Sequence, residues 1–210
     1  MSAKGKNWIQ TFEKNGITVF KREKENSEFY EFKGVVVAKA SLSAFTALML
    51  DAPNMASWMH KTEEVKLLEQ VADNERIAYM RFDFMPVGKR ELIVRNRITQ
   101  DPEDLAVTYS MERITDHPAV KKSRHGMIQG ITGFVRAVPF SAERIEITYQ
   151  CHVEPGIKLL ELWGASVLTN KLLSDTPYYT LRQAARHLAS SKYQGEAIEF
   201  IKEPGEILAC

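Results

Sequence analysis

From Lys61 to Val153 the chain is a succession of strand-like segments, at 63–70, 76–84, 90–100, 105–113, 126–138 and 143–153, and this run restricts the fold more than any other feature. The breaks carry turn chemistry: Asp73-Asn74, Pro86-Val87-Gly88, Asp101-Pro102 and Ser141-Ala142. Parallel neighbours need crossover connections of a dozen or more residues, and these breaks are too short for them. The run therefore reads as an antiparallel meander, with 114–125 as a polar loop.

The flanks read differently. A short helix is expected around Trp8–Lys14, then a turn at Asn15-Gly16 and strands at Ile17–Arg22 and Phe29–Ala38. Ser41 precedes Leu42, Phe45, Leu48 and Met49, a spacing of three and four behind a Ser N-cap, which predicts an amphipathic helix ending near Asp51 before Pro53. After Pro155-Gly156 the apolar residues Leu168, Leu172, Leu173, Pro177, Leu181, Ala184 and Leu188 recur at helical spacing. This predicts one long helix with a kink at Pro177, where the backbone N–H is missing. The last residues, with Gly195, Pro204 and Gly205, read as a poorly packed tail, giving one domain over 1–192 and a tail over 193–210.

A twisted sheet has an apolar face to cover, and the C-terminal helix is the one large element left to cover it. A helix about 10 Å wide cannot fill a strongly curved sheet of this size. The order of elements thus predicts an α+β fold with an internal cavity, and such cavities usually hold a ligand. The C-terminal helix and the 53–60 loop would have to move for entry.

Composition removes several function classes. Twenty-eight basic residues against 27 acidic ones give a net charge of +1, which leaves no basic excess for nucleic acid. Cys151 and Cys210 form no disulfide framework and have no metal-ligand spacing. No secretory signal and no apolar run of about 20 residues is present, so the chain reads as soluble and cytoplasmic. The five histidines lack metal-site spacing, and Cys151 and His152 are strand neighbours that point to opposite faces. No catalytic residue, metal or cofactor is assigned.

Four motifs carry a family resemblance. MPVGKREL (Met85–Leu92) resembles the Pro-x-x-x-Arg-Asp turn of START domains, the lipid-transfer modules related to the steroidogenic acute regulatory protein. GMIQGITGFVRAVPF (Gly126–Phe140) and ITYQCHVEPG (Ile147–Gly156) are similar to that family's Gly-aromatic strand and its T-Y-x-x-x-x-[DE]-P-G strand end. LLSDTPYYTLRQAARHL (Leu172–Leu188) resembles its final helix. The resemblance runs from about Trp8 to Leu188 and is to a bacterial single-domain member. It implies the helix-grip fold, a curved antiparallel sheet around a long C-terminal helix, with a tunnel for one lipid or sterol-like molecule and no cofactor. Glu91 stands where Asp is usual and Phe134 where Trp is frequent. An ungapped match from Arg90 puts the Arg of the sterol-binding members' buried ion pair at Asn96 and its acidic partner near Ile77, which implies a less charged cavity floor.

Strand alternation puts Arg90, Leu92, Val94, Asn96 and Ile98 on one face and Glu91, Ile93, Arg95 and Arg97 on the other. The first face is the more apolar and is expected inward, with Glu91, Arg95 and Arg97 solvated and paired across strands. Arg90 either anchors the turn through a carboxylate or reaches the tunnel. On the preceding strand, apolarity turns Ala78, Met80, Phe82 and Phe84 inward, whereas the family register turns Ile77 inward. Val107, Tyr109, Met111, Tyr149 and Cys151 are further inward candidates. Asn96, Tyr109, Gln129, Thr132 and Tyr149 are the groups expected to orient a ligand's head. Met55, Trp58 and Met59 are read as a packed lid or the entrance, and Leu168, Leu172, Leu173 and Thr176 supply the helical wall. The function expected is binding of one hydrophobic molecule by a monomer, for lipid transfer or sensing, with transient membrane contact and without catalysis. The alternatives are a polyketide aromatase or cyclase-like enzyme on the same fold and a packed domain for protein contacts.

Overall fold

The meander closes on the N-terminal strands. In the computed structural model, which describes residues 7–85, 88–122, 125–141, 143–156 and 165–205, β1 (Ile9–Lys14), β2 (Ile17–Glu23) and β3 (Tyr30–Lys39) form a first antiparallel group. The meander consists of β4 (Thr62–Ala72), β5 (Glu75–Asp83), β6 (Lys89–Gln100), β7 (Val107–Arg113), β9 (Gly130–Ser141) and β10 (Arg144–Glu154). Pairing of β10 with β3 joins the two groups into one curved sheet of order β1-β2-β3-β10-β9-β7-β6-β5-β4. The turn residues Pro86, Val87 and Ala142 and the tail Cys210 lie outside the described residues.

The segment expected as a helix at Trp8–Lys14 is strand β1. Asn15 and Gly16 both have positive φ, 54° and 71°, the conformation of a two-residue hairpin turn whose twist matches two flanking strands. Such a turn pairs both of its arms, so the residues before it are drawn into the sheet against β2. The expected single strand over 126–138 is divided. Gly126–Met127 form a short β8 that pairs parallel to β6, and β9 begins only at Gly130.

Helix α1 (Leu42–Leu50) has the expected cap: Ser41 Oγ accepts from Ala44 N at 3.0 Å, and the helix ends at Asp51. A second carboxylate cap comes from far along the chain. Glu203 Oε1 and Oε2 accept from Ser43 N at 2.7 Å and Leu42 N at 3.2 Å, where the orphan N–H groups and the helix dipole favour an anion. Tyr193 and Ile201 are buried beside it, and the Tyr193 hydroxyl donates to Asp51 at 2.8 Å. The segment after residue 192 is thus packed on the core as far as it is described, because two apolar side chains and a cap tie down a stretch whose Gly and Pro content suggests a loose tail.

The expected long kinked helix is two helices, α2 (Ala165–Ser174) and α3 (Thr176–Leu188), with Asp175 between them. Pro177 sits in the first turn of α3, where its missing N–H costs nothing and its fixed φ starts a helix. Leu181, Ala184 and Leu188 then face the concave side of the sheet, and α3 lies on β2, β3 and β10. Gly34 of β3 allows the approach. A Cβ there would stand 2.7 Å from Leu181 Cδ1 and 2.9 Å from Pro177 Cβ. The substitution Gly34→Ala is expected to destabilise the fold by about 1–3 kcal/mol, the usual cost of overpacking, read as a lower urea midpoint at unchanged slope.

Candidate functional site

The face conflict on β5 is resolved by burial. Ala78, Met80, Phe82 and Phe84 turn toward the concave interior, and Ile77 is buried on the convex side. Arg81 also faces outward, bonded to Glu63 at 2.8 Å and Glu64 at 2.5 Å. Arg95 and Arg97 pair with Glu75 at 3.3 and 2.7 Å, as their expected cross-strand role requires. Glu91, by contrast, is not solvated: it is 4% exposed, with His125 Nε2 at 4.0 Å. The reason is tertiary. Segments after β7 return to β6: Ile114 N donates to Ile93 O and Ile128 N to Glu91 O, both at 2.9 Å. The expected polar loop therefore includes a 3-10 turn (Pro118–Lys122) packed against β6.

Two enclosed voids lie between the sheet and the helices. One, of about 30 Å³, sits beneath α2 and α3 and is lined by Met59, His60, Phe82, Phe84, Met111, Ile128, Ile131, Tyr149, Cys151, Val153, Leu173 and Thr176. A second, of about 10 Å³, lies under the end of α1 and the 3-10 turn at Ala52–Ser57, with Met55, Arg76, Ala78, Asn96 and Tyr109 among its walls. The voids are close together. Asn96 on the wall of the second is the cross-strand partner of Met111 on the wall of the first. Met80 stands between Ala78 and Phe82 on the same face of β5. A broader depression of about 820 Å³, between the β4–β5 turn and Phe200–Lys202, lies outside the grip and has none of the unpartnered buried polar atoms found within it.

The first void is apolar with a few polar groups. Tyr149 and Cys151 face this void from the same side of β10, and burial pushes the Cys151 thiol up to about 12 and the tyrosine well above its ordinary value. Thr176 Oγ1 is buried without a hydrogen-bond partner. At the rim His60 stacks on Tyr179 at 4.8 Å, while its backbone N donates to Thr180 Oγ1 at 3.1 Å, so the loop and α3 are clasped together. Burial, with help from Lys61 and against the pull of Asp175, lowers the His60 pKa. Among the described residues no group of three His, Cys, Asp or Glu side chains is arranged for a metal.

The expected ligand-binding residues separate into groups. Met55, Phe82, Asn96, Tyr109, Met111, Tyr149, Cys151, Leu173 and Thr176 line one void or the other. Trp58, Met80, Val94 and Val107 are buried in the surrounding core, and Leu172 is half-buried. The Leu168 side chain lies outside the described residues. Gln129 and Thr132 are exposed, because residues of odd number from Ile131 to Ala137 take the concave face of β9 and Gln129 precedes the strand. Among the described residues Arg90 neither meets a carboxylate nor lines either void. Its Nε donates to Pro155 O at 3.0 Å and its Nη1 to Lys89 O at 2.7 Å, which anchors the β5–β6 turn to the end of β10. Missed by sequence reasoning were His60, Ile128, Ile131 and Arg76. The alternation that turns Ala78 inward also turns Arg76 inward, and this signal was available.

A family model for the START domain matches residues 1–159, and the chain belongs to that family. A relative in Pseudomonas aeruginosa, itself uncharacterised, is 24% identical over 182 residues, 86% of either chain. The solved structure of a STAR-related lipid transfer protein from Xanthomonas axonopodis is similar with a TM-score of 0.76 at 27% identity, over 87% of this chain and 99% of that one. Human StAR-related lipid transfer protein 5 shares the fold with a TM-score of 0.72 at 10% identity, over 89% and 88% of the two chains. The helix-grip fold expected from the four motifs is the fold observed. This fold supports a hydrophobic ligand-binding role, and no helix among the described residues is long and apolar enough to cross a membrane.

Two outcomes follow from the buried groups. With its pKa at about 12 against an ordinary 9.0, Cys151 in the folded protein should hold on the order of a thousandfold less thiolate than a free thiol. Iodoacetamide at pH 8 should label its peptide only after unfolding, as read by mass spectrometry. A lowered His60 pKa means that the neutral ring favours the folded state, a contribution present above the ordinary 6.5 and lost as pH falls through the lowered value. Replacing His60 with Gln should flatten the fall in thermal stability just below pH 6.5.

Proposed function

We propose that this protein holds one lipid or sterol-like molecule between the concave sheet and the C-terminal helices, for transfer or sensing, and performs no chemistry on it. The observation that carries this reading is the void beneath α2 and α3, enclosed by apolar side chains at a place where most folds have packed core. At about 30 Å³ it is far smaller than the several hundred Å³ of a typical ligand site. Occupation therefore requires the wall to yield. Met59, Met111 and the nearby Met80 are unbranched and flexible enough to repack, and α2 and the clasp at His60–Tyr179 are the elements that would move.

Burial of each methylene is worth about 0.8 kcal/mol, so an acyl chain or ring system supplies its own affinity. Exposed Met85, Val167 and Tyr179, on the elements that frame the void, would touch a membrane surface briefly while a monomer loads or unloads. Catalysis is not favoured by the groups lining the void. Tyr149 and Cys151 are held neutral by burial, and His60 is engaged with Tyr179. The lipid-transfer description of the Xanthomonas axonopodis neighbour adds support.

Native mass spectrometry of the protein from its host, followed by organic extraction, tests the reading. A stoichiometric hydrophobic molecule released on unfolding is the expected result, and Met111→Trp, which fills the void, should lower its occupancy at least tenfold. A protein that stays empty when offered phospholipids, sterols and fatty acids would overturn it.

A further inference from the structure

The second void is chemically unlike the first. Tyr109 is 2% exposed and Asn96 8% exposed, and both line it, yet Tyr109 Oη and Asn96 Oδ1 have no hydrogen-bond partner. Arg76 lies directly across the strand pair from Asn96 and lines the same void. Its Nη1 donates to Leu50 O, its Nε is buried without a partner, and among the described residues it meets no carboxylate. The neighbouring acid Glu75 is taken up by Arg95 and Arg97 on the convex side. A guanidinium is a permanent cation, and its partial burial without an anion is costly.

These groups are rich in donors. Arg76 offers Nε–H, Tyr109 offers O–H, and the Asn96 carboxamide can turn its NH₂ inward. The void of about 10 Å³ has the space of one water or one carboxylate oxygen. From it, the line past Met80 and Met111 leads into the apolar void beneath α2 and α3.

We propose that Arg76, Asn96 and Tyr109 form a receptor for the carboxylate of a fatty acid, whose chain runs past Met80 and Met111 into the apolar void. This rests on the tunnel being a ligand site, and it names the ligand class. The cation with two oriented hydrogen bonds selects an ionised head over a neutral one of equal chain length. Arg76 is the group that makes the difference, and Asn96 and Tyr109 position the oxygens.

The test compares dodecanoate, methyl dodecanoate and 1-dodecanol, each by direct titration of the full chain. Charge-assisted hydrogen bonds predict that dodecanoate binds about ten- to a hundredfold more tightly than either neutral analogue. Arg76→Gln should abolish that preference, bringing dodecanoate to the level of the neutral analogues. Tyr109→Phe removes a hydroxyl with no protein partner, so it should fold normally and weaken dodecanoate alone by several-fold. Equal binding of all three by the natural chain, or a preference that survives both substitutions, would overturn the carboxylate receptor while leaving the tunnel reading standing. Failure of all three to bind would overturn the carboxylate receptor, and the tunnel reading falls only if phospholipids and sterols also leave the protein empty.

Discussion

The interior depends on how closely one helix approaches one strand. At Gly34 the backbone of β3 is in contact with Pro177 and Leu181, with no Cβ between them. That contact seats α3 on the β2–β3–β10 side of the concave face. A rigid cylinder held there cannot also fill the space over β5, β6 and β7. Methionines, phenylalanines and the end of α1 fill most of that space, and the two voids are what remains.

The same space explains the polar groups. Inward positions of a strand are chosen by alternation, and Asn96 and Tyr109 occupy such positions among apolar neighbours. Buried donors and acceptors normally find partners within the protein. Here they line a void instead, next to an arginine whose sequence neighbour Glu75 is paired with Arg95 and Arg97 on the other side of the sheet. At the other void, Tyr149 and Cys151 are held neutral by burial.

Legibility followed interaction range. The Ser41 cap and the end of α1 at Asp51 rest on contacts within four residues, and both are plain in the sequence. The faces of β5 and β6 were readable by alternation, and apolarity proved the better guide than the register that would have turned Ile77 inward. The segment expected as a helix at Trp8–Lys14 is a strand because the Asn15-Gly16 turn is a tight hairpin that recruits both arms. Burial of Glu91 is not legible locally, because the turn at Pro118–Lys122 and strand β8 return to β6 from further along the chain.

By itself the sequence determined the strand run, the capped helix, the helical period after Pro155-Gly156 and the resemblance in four motifs. These depend on residues close along the chain, so their physics is visible there. Tertiary structure alone decided that β10 pairs with β3, that Glu203 caps α1 from 160 residues away in sequence, and that Tyr193 and Ile201 are buried. It alone decided which buried polar atoms lack partners. Such atoms are defined by what fails to reach them, and that is settled only when distant segments have taken their places.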